Sequence, residues 1–220
     1  IADDSDDEYK KINKKSIQDA SPYDPNIIYI PLPYDSGLSK GRNECVKRVN
    51  TPYTIITDDT RPINNNYDVY RLVDYLDKNK QYDMITGYIP ERYGVDKAYT
   101  NLFDYIIING KKINSQQTIL KMMDNLNNKI EIKTYNINKI NKDGYYITDI
   151  GVNAFITKTD ILKKYPWNDN LKIGEHELFF LKLWANNINI LYDETFIFNQ
   201  FNEIYRKYDK NGSFLRSRDK

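Results

Sequence analysis

The chain has little that could cross-link it. Its single cysteine, Cys45, excludes an internal disulfide and defeats zinc-site spacing. One thiol suits a reducing compartment, so the expected location is the cytoplasm, a host's cytoplasm if the coding genome is viral. No apolar run approaches the roughly 18 residues that span a bilayer, and no signal-peptide pattern opens the chain. The first residue is Ile1 rather than Met, so a portion upstream is expected to have been removed or to lie outside this sequence. An excess of either charge is missing too. Lys and Arg total 32 against 31 Asp and Glu, a net charge of +1, and that leaves no electrostatic footprint for a nucleic-acid partner.

What is present is globular: 220 residues, 40% hydrophobic and 29% charged, enough for one domain with a substantial core. Tyr is plentiful at 20, and with the abundant Asn, Lys and Ile it reads as the mark of an AT-rich genome. Residues 26–32, NIIYIPL, predict a short strand. Ser39 caps a predicted helix to about Asn50, with Leu38, Cys45, Val46 and Val49 on one face. Strands are predicted at 53–57, 83–89 and 188–192, and helices at 67–79, 158–165 and 174–187. Alternation over 129–150 around Asp143-Gly144 predicts a β-hairpin. Strands alternating with helices imply an α/β sheet covered on both faces, with an antiparallel insertion over about 91–143. In such sheets ligands bind beyond the carboxyl ends of the strands.

That is where the run YTIITDDT delivers Asp58 and Asp59. Two adjacent carboxylates repel, so a helix N-terminus, an arginine or a divalent cation must offset the cost. A hard cation such as Mg²⁺ or Mn²⁺ would also recruit a diphosphate through its open positions. The alternative is that the pair only ends a strand and caps the next turn. The opening IADDSDDE repeats the pattern with Asp3 and Asp4, and GLSKGRN sets Arg42 near a helix start. Arg42 serves a phosphate, or pairs with Asp58 or Asp4, or does both.

Three blocks, IADDSD, LPYDSGLSKGRNECVKRVNTPYTIITDDT and DIGVNAFITKTDILKKYPWNDNLKIGEHELFF, resemble in this order the glycosyltransferases of the GT-A fold. The resemblance is to the family-two group, nearest its β-1,4-N-acetylgalactosaminyltransferase-like branch, and covers most of residues 1–198. It implies a mixed, mostly parallel, Rossmann-like sheet flanked by helices in a single domain over 1–220, whose tail over 200–220 lies beyond the resemblance and is basic in composition. It also implies transfer of a hexose or N-acetylhexosamine from a UDP-sugar donor, with inversion, to a hydroxyl of a glycan, glycoprotein or other acceptor. A divalent metal, Mn²⁺ or Mg²⁺, is implied with it. By position, Asp3 and Asp4 contact base and ribose, Arg42 and Asn43 lie beside the nucleotide, Asp58 meets ribose and Asp59 the metal. Thr60 stands where relatives often carry a third acid, and Asn199 where the pattern supplies a metal-binding histidine. The family's first strand and helix precede the block that opens this chain, so the expectation is either a fragment of a longer enzyme or a rearranged sheet.

GEHELFF places Glu175, His176 and Glu177 at a loop-to-helix junction, where the helix N-terminus favours anionic groups. Glu175 and Glu177 do not share a helical face, so at most one points into a cleft. Glycosyl transfer with inversion needs one base for the acceptor hydroxyl. Glu175 is the expected base and Glu177 the next choice, with His176 as base, orienter or local structural group. Trp167 either stacks on a sugar face or anchors packing, and Asp149 and Asn153 are candidates for sugar or acceptor contacts. Two other functions suit the same residues: a degenerate relative that binds nucleotide or glycan without turnover, and a nucleotidyltransferase.

Overall fold

The computed structural model describes residues 1–22, 24–58, 62–64, 67–89, 101–113, 115–123, 128–136, 140–171 and 174–198. It opens with strand β1 (Ala2–Asp3), helix α1 (Asp7–Ala20) and strand β2 (Ile30–Pro31), the strands pairing in parallel with Ala2 opposite Ile30. Asp6 caps α1 by accepting from the Glu8 and Tyr9 amides, and Asp7 and Glu8 add charge favourable to the helix start. No residue of α1 is buried, so it lacks the apolar stripe by which a helix shows in a sequence. The strand expected over 26–32 shortens to two residues, the second a proline that has no amide hydrogen to donate.

Helix α2 (Leu38–Val46) starts from Gly37, whose φ of 89° few other residues adopt, and not from Ser39. Its buried face is Ser39, Arg42, Asn43 and Val46, at the i, i+3, i+4, i+7 spacing of one helical stripe. Of the expected face Val46 is buried and Cys45 and Val49 are half-buried, but Leu38 is 58% exposed and does not belong to it. Three of the four buried residues are polar, which demands partners beneath the helix.

Next come β3 (Tyr53–Ile56), α3 (Tyr70–Lys78), β4 (Met84–Tyr88), β5 (Asn101–Ile108), β6 (Lys111–Ile113), α4 (Gln116–Met123) and β7 (Ile130–Asn136). They are followed by β8 (Tyr146–Thr148), β9 (Phe155–Lys158), α5 (Thr159–Lys164), α6 (Glu175–Ala185) and β10 (Ile190–Ile197). Among the described residues the main sheet has the order β3-β9-β4-β10-β8. Strands β3, β4 and β10 run one way, while β9 lies between β3 and β4 and opposes both. The sheet is mixed, as expected, though among the described residues its β4–β10 pairing is parallel and its other three are antiparallel. Alternating elements predict layers but not neighbours, and Tyr53 pairs with the distant Lys158.

The expected hairpin over 129–150 also divides. Strand β7 pairs with β5 in a separate antiparallel sheet, β6-β5-β7, and β8 pairs with β10. A single bridge, Ile140 to Tyr146, spans the Asp143-Gly144 turn, where Gly144 has φ 89°. One core layer joins Phe155, Trp167, Phe179 and Phe180 to Phe103, Ile106 and Ile108 of β5. The other packs Leu72 and Leu76 of α3 on Ile85, Leu191, Phe196 and Phe198. Among the described residues no helix is long and apolar enough to cross a membrane. The tail over 200–220 lies outside the described residues.

Candidate functional site

The polar stripe of α2 organises the site. Arg42 Nη2 donates to Asp58 Oδ1 at 2.9 Å, just beyond the carboxyl end of β3. Its Nη1 lies 3.6 Å from Glu175 Oε1, at the first residue of α6. One guanidinium therefore joins the two sequence motifs. The Arg42 side chain is 9% exposed, Glu175 11% and Asp58 26%, so the cluster is shielded on the arginine side and opens toward the aspartate. The guanidinium carbon also sits 5.7 Å from the centre of the Trp167 ring, a cation over an aromatic face.

Gly174, at φ 76°, gives the chain the left-handed step into α6 and leaves Glu175 in the first turn, where helix N–H groups favour a carboxylate. Glu177 is exposed, as the spacing required if Glu175 points inward. His176 is half-buried with its ring edge-on to Phe180 at 5.0 Å. Burial pushes its pKa below the usual 6.5. The Arg42 charge adds to this, while Glu177, Glu175 and the Gly151 backbone pull the other way. His176 Nδ1 is buried without a hydrogen-bond partner, as are Arg42 Nη1, Trp167 Nε1 and Asn153 Oδ1.

Asn43 is spent on the scaffold. Its amide nitrogen donates to the Trp167 carbonyl at 2.9 Å and to Asp169 Oδ1 at 2.6 Å, and its oxygen accepts from the Trp167 amide at 3.0 Å. With Ser39 Oγ donating to the Leu171 carbonyl at 3.2 Å, α2 grips the segment that leads into α6. Trp167 is 2% exposed and stacked on Phe179 at 4.1 Å, so of its two expected roles the packing anchor is the one observed; a buried ring offers no face to a sugar.

Asp3 is likewise committed within its own chain. Oδ1 accepts from the Ser5 amide at 2.9 Å and from the Ser5 hydroxyl; Oδ2 accepts from Asn13 at 3.0 Å and Tyr29 at 2.7 Å. Burial raises the carboxyl's pKa, but these donors outweigh it and hold it at about 2. Asp4 Oδ2 accepts from the Gly37 amide at 2.8 Å, fixing the turn before α2. Asp149 accepts from the Phe103 amide at 2.9 Å and so ties the β5 sheet to the main one. Burial pushes its pKa up, and that amide opposes the rise.

Among the described residues no group of three or more His, Cys, Asp and Glu is arranged to hold a metal. Asp59, Thr60 and Asn199 lie outside the described residues. Their described neighbours do meet: Ile63 bridges Phe198, and the Asn64 amide donates to the Ile197 carbonyl at 3.0 Å.

With this geometry in hand, residues 1–165 match the model of glycosyl transferase family 2. The chain belongs to that family. Family 2 membership rests on the stretch that carries Asp58 and Arg42, while Trp167, Glu175, His176 and Glu177 follow it. Two solved structures share the fold. S. aureus TarS 1–349 superposes with a TM-score of 0.54 at 16% identity, over 90% of this chain and 49% of that one. A longer S. aureus TarS gives 0.52 at 17% identity, over 91% and 30%. This chain thus spans about half of TarS 1–349, and the mixed α/β sheet with flanking helices is the GT-A fold. No curated protein sequence matches.

Sequence reasoning about this family 2 domain missed Ser39, Asp169 and Gly151 as supports of the site. A Cβ on Gly151 would fall 2.6 Å from the buried Thr86 side chain, so only glycine lets the segment that carries Asn153 into β9 lie there. The polar spacing of Ser39, Arg42 and Asn43 is the signal that would have found the first.

Proposed function

We propose that the chain transfers a sugar from a nucleotide-sugar donor, with UDP as the nucleotide, to an acceptor hydroxyl with inversion at the anomeric carbon. The observation that carries this reading is the Arg42 bridge, which ties the carboxylate beyond β3 to the carboxylate opening α6. An inverting transfer needs a donor anchor and a base at one site, and these are the two. In the step, the acceptor oxygen bonds to the anomeric carbon as its proton passes to Glu175. The bond from that carbon to the diphosphate oxygen breaks on the opposite face, and the nucleoside diphosphate leaves with the electron pair.

Asp58 and Glu175 share the Arg42 guanidinium, and a diphosphate placed beside two carboxylates calls for a cation between them. A divalent ion, Mn²⁺ or Mg²⁺, held by Asp59 with Asn199 would supply that neutralisation. Asp58 then faces the nucleotide with the Arg42 bridge beside it, while Asp3, Asn43 and Trp167 serve the scaffold. Within the family, the branch is the β-1,4-N-acetylgalactosaminyltransferase-like one, with a hexose or N-acetylhexosamine moved to a glycan, glycoprotein or other hydroxyl.

The test is nucleoside diphosphate release from a panel of UDP-, GDP- and dTDP-sugars, with and without Mn²⁺. UDP-sugars are expected to turn over, with Mn²⁺ raising the rate and Asp59→Ala abolishing it. UDP binding without turnover of any donor would make the chain a binding module instead.

A further inference from the structure

Arg42 is the group that the two halves of the site share, and its position is unusually constrained. The guanidinium is nine-tenths buried, hydrogen-bonded through Nη2 to Asp58, and held over the Trp167 ring. Trp167 is itself fixed by its stack on Phe179 and by two backbone hydrogen bonds to the Asn43 amide, which also holds Asp169. The remaining edge, Nη1, has no hydrogen-bond partner and lies 3.6 Å from Glu175 Oε1. Among the described residues that approach is the ion pair of the Glu175 side chain, which sits at the end of a helix with a glycine before it.

We infer that Arg42 is a positioning residue for Glu175, a rigid brace that links the donor end of the site to the base. This rests on the transferase reading of the preceding subsection. The planar fork of a guanidinium reaches two carboxylates at once, and an ammonium is a single point on a flexible stem. Lysine at 42 therefore keeps the charge and loses the brace. An anchored base also holds the acceptor's proton path at fixed geometry, and a loosened one loses rate in place of affinity.

The experiment is a double-mutant cycle on Arg42→Lys and Glu175→Gln, read as UDP release from the donor that the panel selects. Alone, Arg42→Lys is expected to lower kcat at least tenfold with donor KM within threefold of wild type. In the Glu175→Gln background the same change is expected to lower the residual kcat less than twofold, because the group it braces is already disabled. A second readout needs no turnover: urea midpoints of the four proteins are expected to be non-additive. Equal kcat factors in both backgrounds, or a tenfold rise in donor KM with kcat kept, would overturn the inference and make Arg42 a nucleotide ligand only. Additive urea midpoints would overturn it as well. A wild type that turns over no donor would instead sink the transferase reading, and the base-positioning role with it.

Discussion

Removing the Asn43 amide separates two roles for that residue. The resemblance of the GRN stretch sets Asn43 beside the nucleotide, whereas the structure spends it on Trp167 and Asp169. Asn43→Ala leaves the buried Trp167 amide and carbonyl unpaired, each at about 1–3 kcal/mol, and the Asp169 carboxylate loses a donor that solvent replaces. Some of this is recovered by water in the space left behind, so the net loss is about 3 kcal/mol. For a domain of this size that is roughly 6–12 °C in Tm. Asn43→Asp should be worse, because a carboxylate then faces Asp169 and the Trp167 carbonyl where an amide donated. Urea denaturation followed by circular dichroism measures both losses. If both variants unfold within 0.5 kcal/mol of wild type by that assay, an estimate taken against the usual spread for surface changes, while donor KM rises tenfold, Asn43 is a nucleotide ligand and the clamp is wrong.

Three further outcomes follow from particular contacts. His176 has a pKa below its unfolded value, so its folded form resists protonation. Stability is therefore full above about pH 6.5 and declines as pH falls below it, and His176→Gln should flatten that decline in urea titrations across pH. Asp3, held at about 2 against an unfolded 3.8, contributes roughly 2 kcal/mol above pH 4 that is lost as pH falls toward 2; Asp3→Asn should remove this acid-sensitive component from the same titrations. Gly151→Ala drives a methyl group to 2.6 Å from Thr86, whose hydroxyl accepts from the Val152 amide at 3.1 Å. A loss of about 2 kcal/mol is expected, and the Gly151→Ala/Thr86→Ala pair should lose less than the sum of its single changes.

How much of this was legible depended on whether a feature is local. The β-branched run at 53–56, the apolar spacing of Leu72 and Leu76, and the glycine before Glu175 each announce their element within a few residues. Asp58 at a strand end and Glu175 at a helix start were read correctly for the same reason, and the one-sided view of Glu175 and Glu177 needed only helical geometry. Pairing between distant segments was not legible. Nothing in the local pattern says that β9 divides β3 from β4, or that β7 leaves its neighbour β8 for β5. Helix α1 was missed because it buries nothing, and the inner face of α2 was misread because a buried stripe was taken to be apolar. That stripe is polar because it meets backbone and carboxylates, which only the folded chain brings beneath it.

A crystal structure grown with UDP and Mn²⁺ tests the central claim most directly. The account predicts the diphosphate between Asp58 at the end of β3 and Glu175 at the start of α6, with the Arg42 bridge beside it. At the opposite rim of the sheet a hollow of about 320 Å³ is lined by Tyr53, Lys80, Lys158 and Lys164. Nucleotide bound there, with the Asp58–Arg42–Glu175 cluster untouched, would contradict the account.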